Sequence, residues 1–268
     1  MLTVERVSKV YPPTRRGGEV LAVHDVSFAV PAGQFVAIVG PSGCGKSTLL
    51  NLVAGIDTPS SGAIRLDGRA VAGPGSERGI MFQQYVLFPW MTVRKNVEFG
   101  PRSRGEPRAR CAEIADRYLS MVGLDGVADR YPHELSGGMQ QRCALARVLA
   151  NDPLVLLMDE PLAAVDAQTR SILQEELLEI WGERKDAAAR KIVIFVTHAI
   201  DEAIFLADRV LVMGRKPGRV IADIDNDLDR PRVGVRRHPR FGERVDAIWG
   251  LLHDQAAEAT RQLEAGDR

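Results

Sequence analysis

Residues 40–48 read Gly-Pro-Ser-Gly-Cys-Gly-Lys-Ser-Thr, and no other stretch restricts the fold as tightly. The run satisfies G-x-x-x-x-G-K-[ST]. It lies between a strand-like apolar run, Phe35–Val39, and a second apolar run, Leu49–Ala54. A strand, a glycine loop and a helix in that order let successive backbone N–H groups turn inward around phosphate oxygens, with the positive helix end behind them. Gly40, Pro41, Ser42, Gly43, Cys44, Gly45, Lys46, Ser47 and Thr48 are the expected phosphate-binding residues. Lys46 is placed to bridge the β- and γ-phosphates, and the Ser47 hydroxyl to ligate Mg²⁺. Cys44 is expected to contribute its backbone N–H, leaving a loop thiol open to maleimides. A glycine turn with a chance lysine would not need the flanking strand and helix. The segment Gly73–Gly79 has the spacing G-x-G-x-x-x-G and precedes a strand, so it reads as a turn rather than a dinucleotide fingerprint.

A second apolar run, Leu154–Met158, ends in Asp159-Glu160-Pro161. Successive side chains on a strand diverge, so the two acids can take different tasks. Asp159 is expected to hold Mg²⁺, and Glu160 to orient or deprotonate the water that attacks the γ-phosphate.

The remaining pattern is that of an α/β chain. Gly79–Phe82, Lys191–Val196, Arg209–Met213 and Val220–Ile224 are further strand candidates, mostly apolar on consecutive positions, as in a parallel sheet covered on both faces. Thr3–Val10 and Val20–Val30 alternate, predicting antiparallel strands with one wet face, joined by a hairpin tip at Arg15-Arg16-Gly17-Gly18. Cys111, Ile114, Ala115, Tyr118, Leu119 and Val122 form one helical stripe; Leu173, Leu177, Leu178, Ile180 and Trp181 form another. Residues 101–107 read as an exposed loop before a helix, and Pro231–Pro239 as a surface linker. The linker leads to a last amphipathic helix carrying Phe241, Val245, Ile248, Trp249 and Leu252.

Charge narrows the function classes. The 268 residues carry 35 Lys plus Arg and 35 Asp plus Glu, so no basic excess draws the chain to nucleic acid or anionic lipid. No run approaches the length of a membrane span, and Met1–Arg6 lacks the order of a signal peptide, predicting a cytoplasmic protein. Cys44, Cys111 and Cys143 are too widely spaced for a zinc site or a disulfide framework.

Leu135-Ser136-Gly137-Gly138-Met139, followed by Gln140-Gln141-Arg142, resembles the signature motif of ATP-binding cassette (ABC) ATPases. The order of motifs over about residues 1–225 agrees with that family. The resemblance implies a P-loop NTPase ABC core with an antiparallel β subdomain and an α-helical signature subdomain at about residues 85–150. Residues 1–230 would form the nucleotide-binding domain, and 231–268 a linker and C-terminal amphipathic helix. It further implies that Tyr11 stacks on adenine, that Gln83 is the Q-loop glutamine, binding γ-phosphate and Mg²⁺, and that Ala163–Asp166 is the D-loop. His198 would be the switch histidine contacting the γ-phosphate. In the family two copies pack head to tail, and Ser136, Gly137 and Gly138 of one would close over ATP held by the other. Met139, Ala163 and Ala199 depart from the commoner glutamine, serine or glycine, and aspartate of the pattern.

One cassette without a membrane span resembles the energy subunit of an importer. Gly73-Pro74-Gly75, Leu87-Phe88-Pro89-Trp90, Phe205–Val210, Lys216–Val220 and Asp229–Arg232 are similar to the nitrate/sulfonate/taurine importer subfamily. Thiamine-precursor importers share much of that pattern. The implied partners are a second copy, an integral membrane permease and, indirectly, a solute-binding protein; the implied place is the cytoplasmic face of the bacterial inner membrane. The apolar stretch Tyr85–Trp90 is either locally packed or a groove for a short permease helix. A soluble ABC switch acting on nucleic acid and a P-loop kinase are the competing classes. The charge balance opposes the first. The second would leave Leu135–Gly138 and His198 without a task.

Overall fold

The computed structural model describes residues 1–13, 18–84, 86–182, 191–232 and 234–266, without the side chains of 180 and 256–266. Arg15, Arg16 and Gly17 of the expected hairpin tip, and Tyr85, lie outside the described residues. The chain divides into two compact units, Met1–Pro74 with Ile192–Arg268, and Gly75–Lys191.

In the first unit β1 (Leu2–Tyr11) pairs antiparallel with β2 (Val20–Val30) and with β4 (Ser61–Leu66), which pairs in turn with β5 (Arg69–Ala70). Leu2, Val4 and Val7 of β1 meet Val26, Phe28 and Val30 of β2 on the buried face, while Glu5, Ser27 and Ala29 are exposed. This is the wet-faced sheet that the alternation predicts. Beside it, β3 (Phe35–Val39) pairs parallel with β8 (Ile192–Thr197) and β9 (Arg209–Met213). All five β3 residues and all six β8 residues are buried, and the Phe35 and Phe195 rings lie 5.9 Å apart. Consecutive apolar residues are needed because both faces of these strands are covered. β10 (Val220–Asp225) departs from that pattern: it runs antiparallel to β9, with alternating exposure that leaves Ile221 open.

Helices α1 (Lys46–Ala54) and α6 (Ile200–Leu206) pack on these strands. The carbonyls at the end of α6 are satisfied from downstream. Asn226 donates to Ile204 and Ala207 at 2.7 Å, Arg230 to Leu206 at 2.7 Å, and Arg232 to Ala207 at 3.1 Å. The expected surface linker therefore begins inside the protein: Arg232 is 2% exposed, and burial lowers its pKa to about 10. The last helix, α7 (Pro239–Gly266), buries Phe241 and Ile248 but leaves Trp249 62% exposed, correcting its place on the apolar stripe.

In the second unit β6 (Arg78–Met81) and β7 (Val155–Asp159) pair parallel. α2 (Val93–Ser103), α3 (Arg108–Met121) and α4 (Gly137–Ala150) pack against one another, and α5 (Ala167–Gly182) follows β7. Cys111, Ala115, Tyr118 and Leu119 are the buried face of α3, as the spacing predicts. Pro101 differs from expectation: it lies within α2 and is buried, so the exposed connection begins only after Ser103. Among the described residues no helix is long and apolar enough to cross a membrane.

Candidate functional site

In the first unit the chain leaves β3 at Gly40 and enters α1 at Lys46. Gly45 caps the helix at φ 101°, where a Cβ would stand 2.7 Å from the Ala22 carbonyl oxygen, so glycine is required twice over. No acid occupies the first turn of α1, leaving its positive end available to an anion. Ser42, Gly43 and Ser47 are exposed; Gly40 and Lys46 are buried, and Pro41, Gly45 and Thr48 are half-buried. The Lys46 ammonium donates to the loop's own Gly40 and Pro41 carbonyls, at 2.8 and 3.0 Å. The charge is thus held in the loop by neutral acceptors that a phosphate can replace with a stronger, charge-assisted bond. Cys44 is 1% exposed and burial raises its thiol pKa, so the thiol is shielded rather than open to maleimides. Cys111 and Cys143 are also free and buried, and burial pushes Cys143 up to about 12.

Tyr11 ends β1 beside this loop. Its hydroxyl donates to Asp57 at 2.9 Å and interacts with Thr48 of the phosphate loop, and Lys9 Nζ lies 5.0 Å from the ring centroid. Burial raises the Tyr11 pKa and also works against the Asp57 carboxylate. Hydrogen bonds from Lys9 and Tyr11 outweigh the second effect and hold Asp57 below the usual carboxylate range. The aromatic ring is therefore fixed at the edge of the loop.

His198 follows β8 and is exposed. Its turn is tied from both sides: Thr197 Oγ1 donates to the buried Glu202 carboxylate at 2.5 Å and accepts from Ala199 N–H at 3.1 Å. Ala199 is the N-cap of α6 and offers no side-chain cap. The Thr197 hydroxyl thus ties the backbone of the cap residue itself, a bond distinct from the one an aspartate at 199 would accept from the first turn. Neither Thr197 nor Glu202 is signalled by the motif spacing, although an acid three residues past a helix cap is a usable sign.

In the second unit Asp159 ends β7 and is buried, and Glu160 follows, half-buried. Gln83 Nε2 donates to Glu160 Oε2 at 3.4 Å, so the fold brings these two expected site residues together. Glu160 has φ 48°, a conformation that costs a non-glycine residue about 1–3 kcal/mol and clusters at functional sites. Ser136 caps α4, its Oγ accepting from Met139 N–H at 3.3 Å, and Ser136 and Gly137 are exposed. A Cβ on Gly138 would come within 3.2 Å of the Ala164 carbonyl oxygen. Asp166 accepts from Thr169 N–H at 3.0 Å at the start of α5, and this hydrogen bonding lowers its pKa. The buried Gln141 of the signature run, to which the motif assigns no task, bonds both Glu160 and Ala164. A glutamine among Ala144, Leu145 and Val148 on a buried helix face is the sign of such a task.

The segment Phe88–Thr92 is tied to α2. Asn96, fully buried, accepts from Phe88 N–H at 2.9 Å and donates to the carbonyls of Phe88, Met91 and Thr92. Phe88 packs on Phe99 at 4.6 Å, and the Arg147 guanidinium lies 5.1 Å from its ring centroid. Trp90, 5.6 Å from Phe88, nevertheless stays 70% exposed, and Val86 and Phe99 are also exposed in this unit. Local packing therefore accounts for Phe88 and leaves the tryptophan uncovered.

A strand–phosphate loop–helix unit, with an acid pair closing another parallel strand, defines a P-loop nucleotide-binding protein. The sequence pattern of the ABC transporter family matches residues 23–163. An uncharacterized ABC transporter ATP-binding protein of Methanocaldococcus jannaschii is 48% identical over 97% of this chain and 94% of its own. The taurine import ATP-binding protein of Jannaschia sp. is 44% identical over 93% of each chain, and the nitrate import ATP-binding protein of Synechocystis sp. 42% over 98% of each. A dimeric ATP-binding cassette solved in a post-hydrolysis state with ADP and Pi is 30% identical. It matches 85% of this chain and 100% of its own, with a TM-score of 0.75. The chain belongs to the ABC transporter family and is one of its ATPases.

Proposed function

We propose that the chain is the energy-coupling subunit of an importer, driving uptake of a small anion such as nitrate, a sulfonate or taurine through a separate permease. Relatives named for taurine and nitrate import match nearly the whole chain, at 41–45% identity. The observation that carries the permease is the exposed Trp90, between Phe88 and Met91, whose backbone groups bond the buried Asn96. A large aromatic left in water beside a backbone that is tied down is the kind of residue that anchors a partner. The subunit would then sit on the cytoplasmic face of the inner membrane, with the permease and a solute-binding protein selecting the solute.

The roles follow from the chemistry of each group. The 40–48 loop and Lys46 bind the β- and γ-phosphates, and Tyr11 stacks on adenine. Ser47, Asp159 and Gln83 each carry an oxygen of the kind that suits Mg²⁺, which would neutralise charge developing on the phosphates. Glu160 takes the proton of the attacking water, while Gln83 and His198 read the γ-phosphate. Ser136, Gly137 and Gly138 present their exposed helix start to ATP held by a second copy. ATP shifts the pair toward closure only insofar as it binds the closed form more tightly.

Trp90→Ala tests the coupling surface. Loss of one buried aromatic anchor is expected to weaken permease association by about 2 kcal/mol, roughly thirtyfold. Solute uptake into proteoliposomes should fall with it, while ATP affinity of the isolated chain stays unchanged. Undiminished uptake and association would remove Trp90 from the interface.

A further inference from the structure

We propose that Gln141 is a positioning residue for Glu160, holding the strained turn on which that carboxylate stands. The inference rests on the reading of Glu160 as the group that activates water. Gln141 projects from the second turn of α4 and is 2% exposed. Its amide is used at both ends: Nε2 donates to the Glu160 carbonyl at 3.2 Å, and Oε1 accepts from Ala164 N–H at 3.0 Å. The turn between those points is closed by the Ala163 N–H bond to the Glu160 carbonyl, at 3.2 Å. One side chain therefore bridges the turn and fixes the carbonyl of the residue whose φ is 48°.

A left-handed glutamate persists only where its surroundings over-determine it. Helix α4 supplies part of those surroundings. Gln141 bonds the turn, and Gly138, one turn earlier on the helix, lies close enough to Ala164 that a Cβ would stand 3.2 Å from its carbonyl oxygen. The helix capped by Ser136 and begun by Gly137 thus carries contacts that tie the turn of Glu160. A shift of α4 moves the Gln141 amide, and the Glu160 carboxylate, already only 3.4 Å from Gln83, changes its aim. Glutamine suits this task because it presents a donor and an acceptor on one planar group. Leucine or methionine would fill the same space and bond neither end.

The test uses Gln141→Met and Gln141→Glu in the full chain. Methionine keeps the length without either hydrogen bond; glutamate keeps the acceptor for Ala164 N–H but has no proton for the Glu160 carbonyl. Both are expected to lower kcat for ATP by about 10- to 100-fold, the cost of misplacing a reacting group by about an ångström. KM should stay within about twofold, and a fluorescent ATP analogue should bind as tightly as to the unsubstituted chain. In a Glu160→Gln background, Gln141→Met should lower the residual rate no further, because both changes act on one group. Should Gln141→Met fail to fold, Gln141→Glu reads the same quantities. Unchanged kcat in a folded variant, or losses that multiply in the Glu160→Gln background, would overturn the proposal. Full turnover by Glu160→Gln alone would instead sink the reading of Glu160, so the two failures are separable.

Discussion

Glu160→Gln is expected to bind ATP normally and to lose about 100- to 10,000-fold in turnover, the usual contribution of a general base. Glutamine keeps the size of the side chain and its bond with Gln83, while removing the charge that accepts a proton. ATP then persists in the site. If the exposed start of α4 closes over nucleotide held by a second copy, the substitution should trap an ATP-dependent dimer. Light scattering with and without ATP reads that state, and phosphate release reads the turnover. A variant that hydrolyses ATP at the original rate would take Glu160 out of the chemistry.

Lys46→Ala should act one step earlier. Its ammonium is buried and held by the Gly40 and Pro41 carbonyls, so it is preset in the loop rather than recruited from solvent. Charge-assisted bonds to phosphate are expected to contribute about 3 kcal/mol, and their loss should raise Kd for ATP roughly a hundredfold. Equilibrium binding of a fluorescent ATP analogue measures this directly. The fold should survive, because α1 keeps Leu49, Leu50, Leu52 and Val53 in the core. Unchanged affinity would mean that Lys46 serves only to tie its own loop.

The sequence was most legible where one physical demand dominates. β3, β7 and β8 are covered on both faces, so their consecutive apolar residues announce them. β4 is harder: Ser61, Gly62 and Arg65 dilute its alternation, and only Ile64 and Leu66 are buried. Trp249 joins Phe241 and Ile248 in composition but not in direction. At about 100° per residue, Ile248 falls within about 20° of Phe241, whereas Trp249 lies about 80° away. Arg232 is a charged residue buried for a tertiary reason, the Ala207 carbonyl at the end of α6 that it shares with Asn226, which no local pattern contains.

The same division holds at the site. The spacing of the loop, the acid pair and the signature marks Lys46, Glu160 and Ser136 as individual residues. What holds them is not legible in that way. The left-handed backbone of Glu160 is rare for a non-glycine residue and has no sequence mark. The Gln141 bridge and the Thr197–Glu202 pair depend on atoms that meet only after folding. Replacement of an expected aspartate by Ala199 removes a side-chain cap, and the tie between the Ala199 N–H and the Thr197 hydroxyl is a separate bond that the spacing does not show.

If two copies must share each ATP, phosphate release per chain depends on protein concentration. The direct measurement is hydrolysis of ATP labelled at the γ-phosphate, with Mg²⁺, over a wide range of concentrations of the full chain. The expected result is label recovered as inorganic phosphate, with a rate per chain that climbs through the dimerisation range and then levels. A rate per chain independent of concentration, or label transferred to an acceptor other than water, would contradict it.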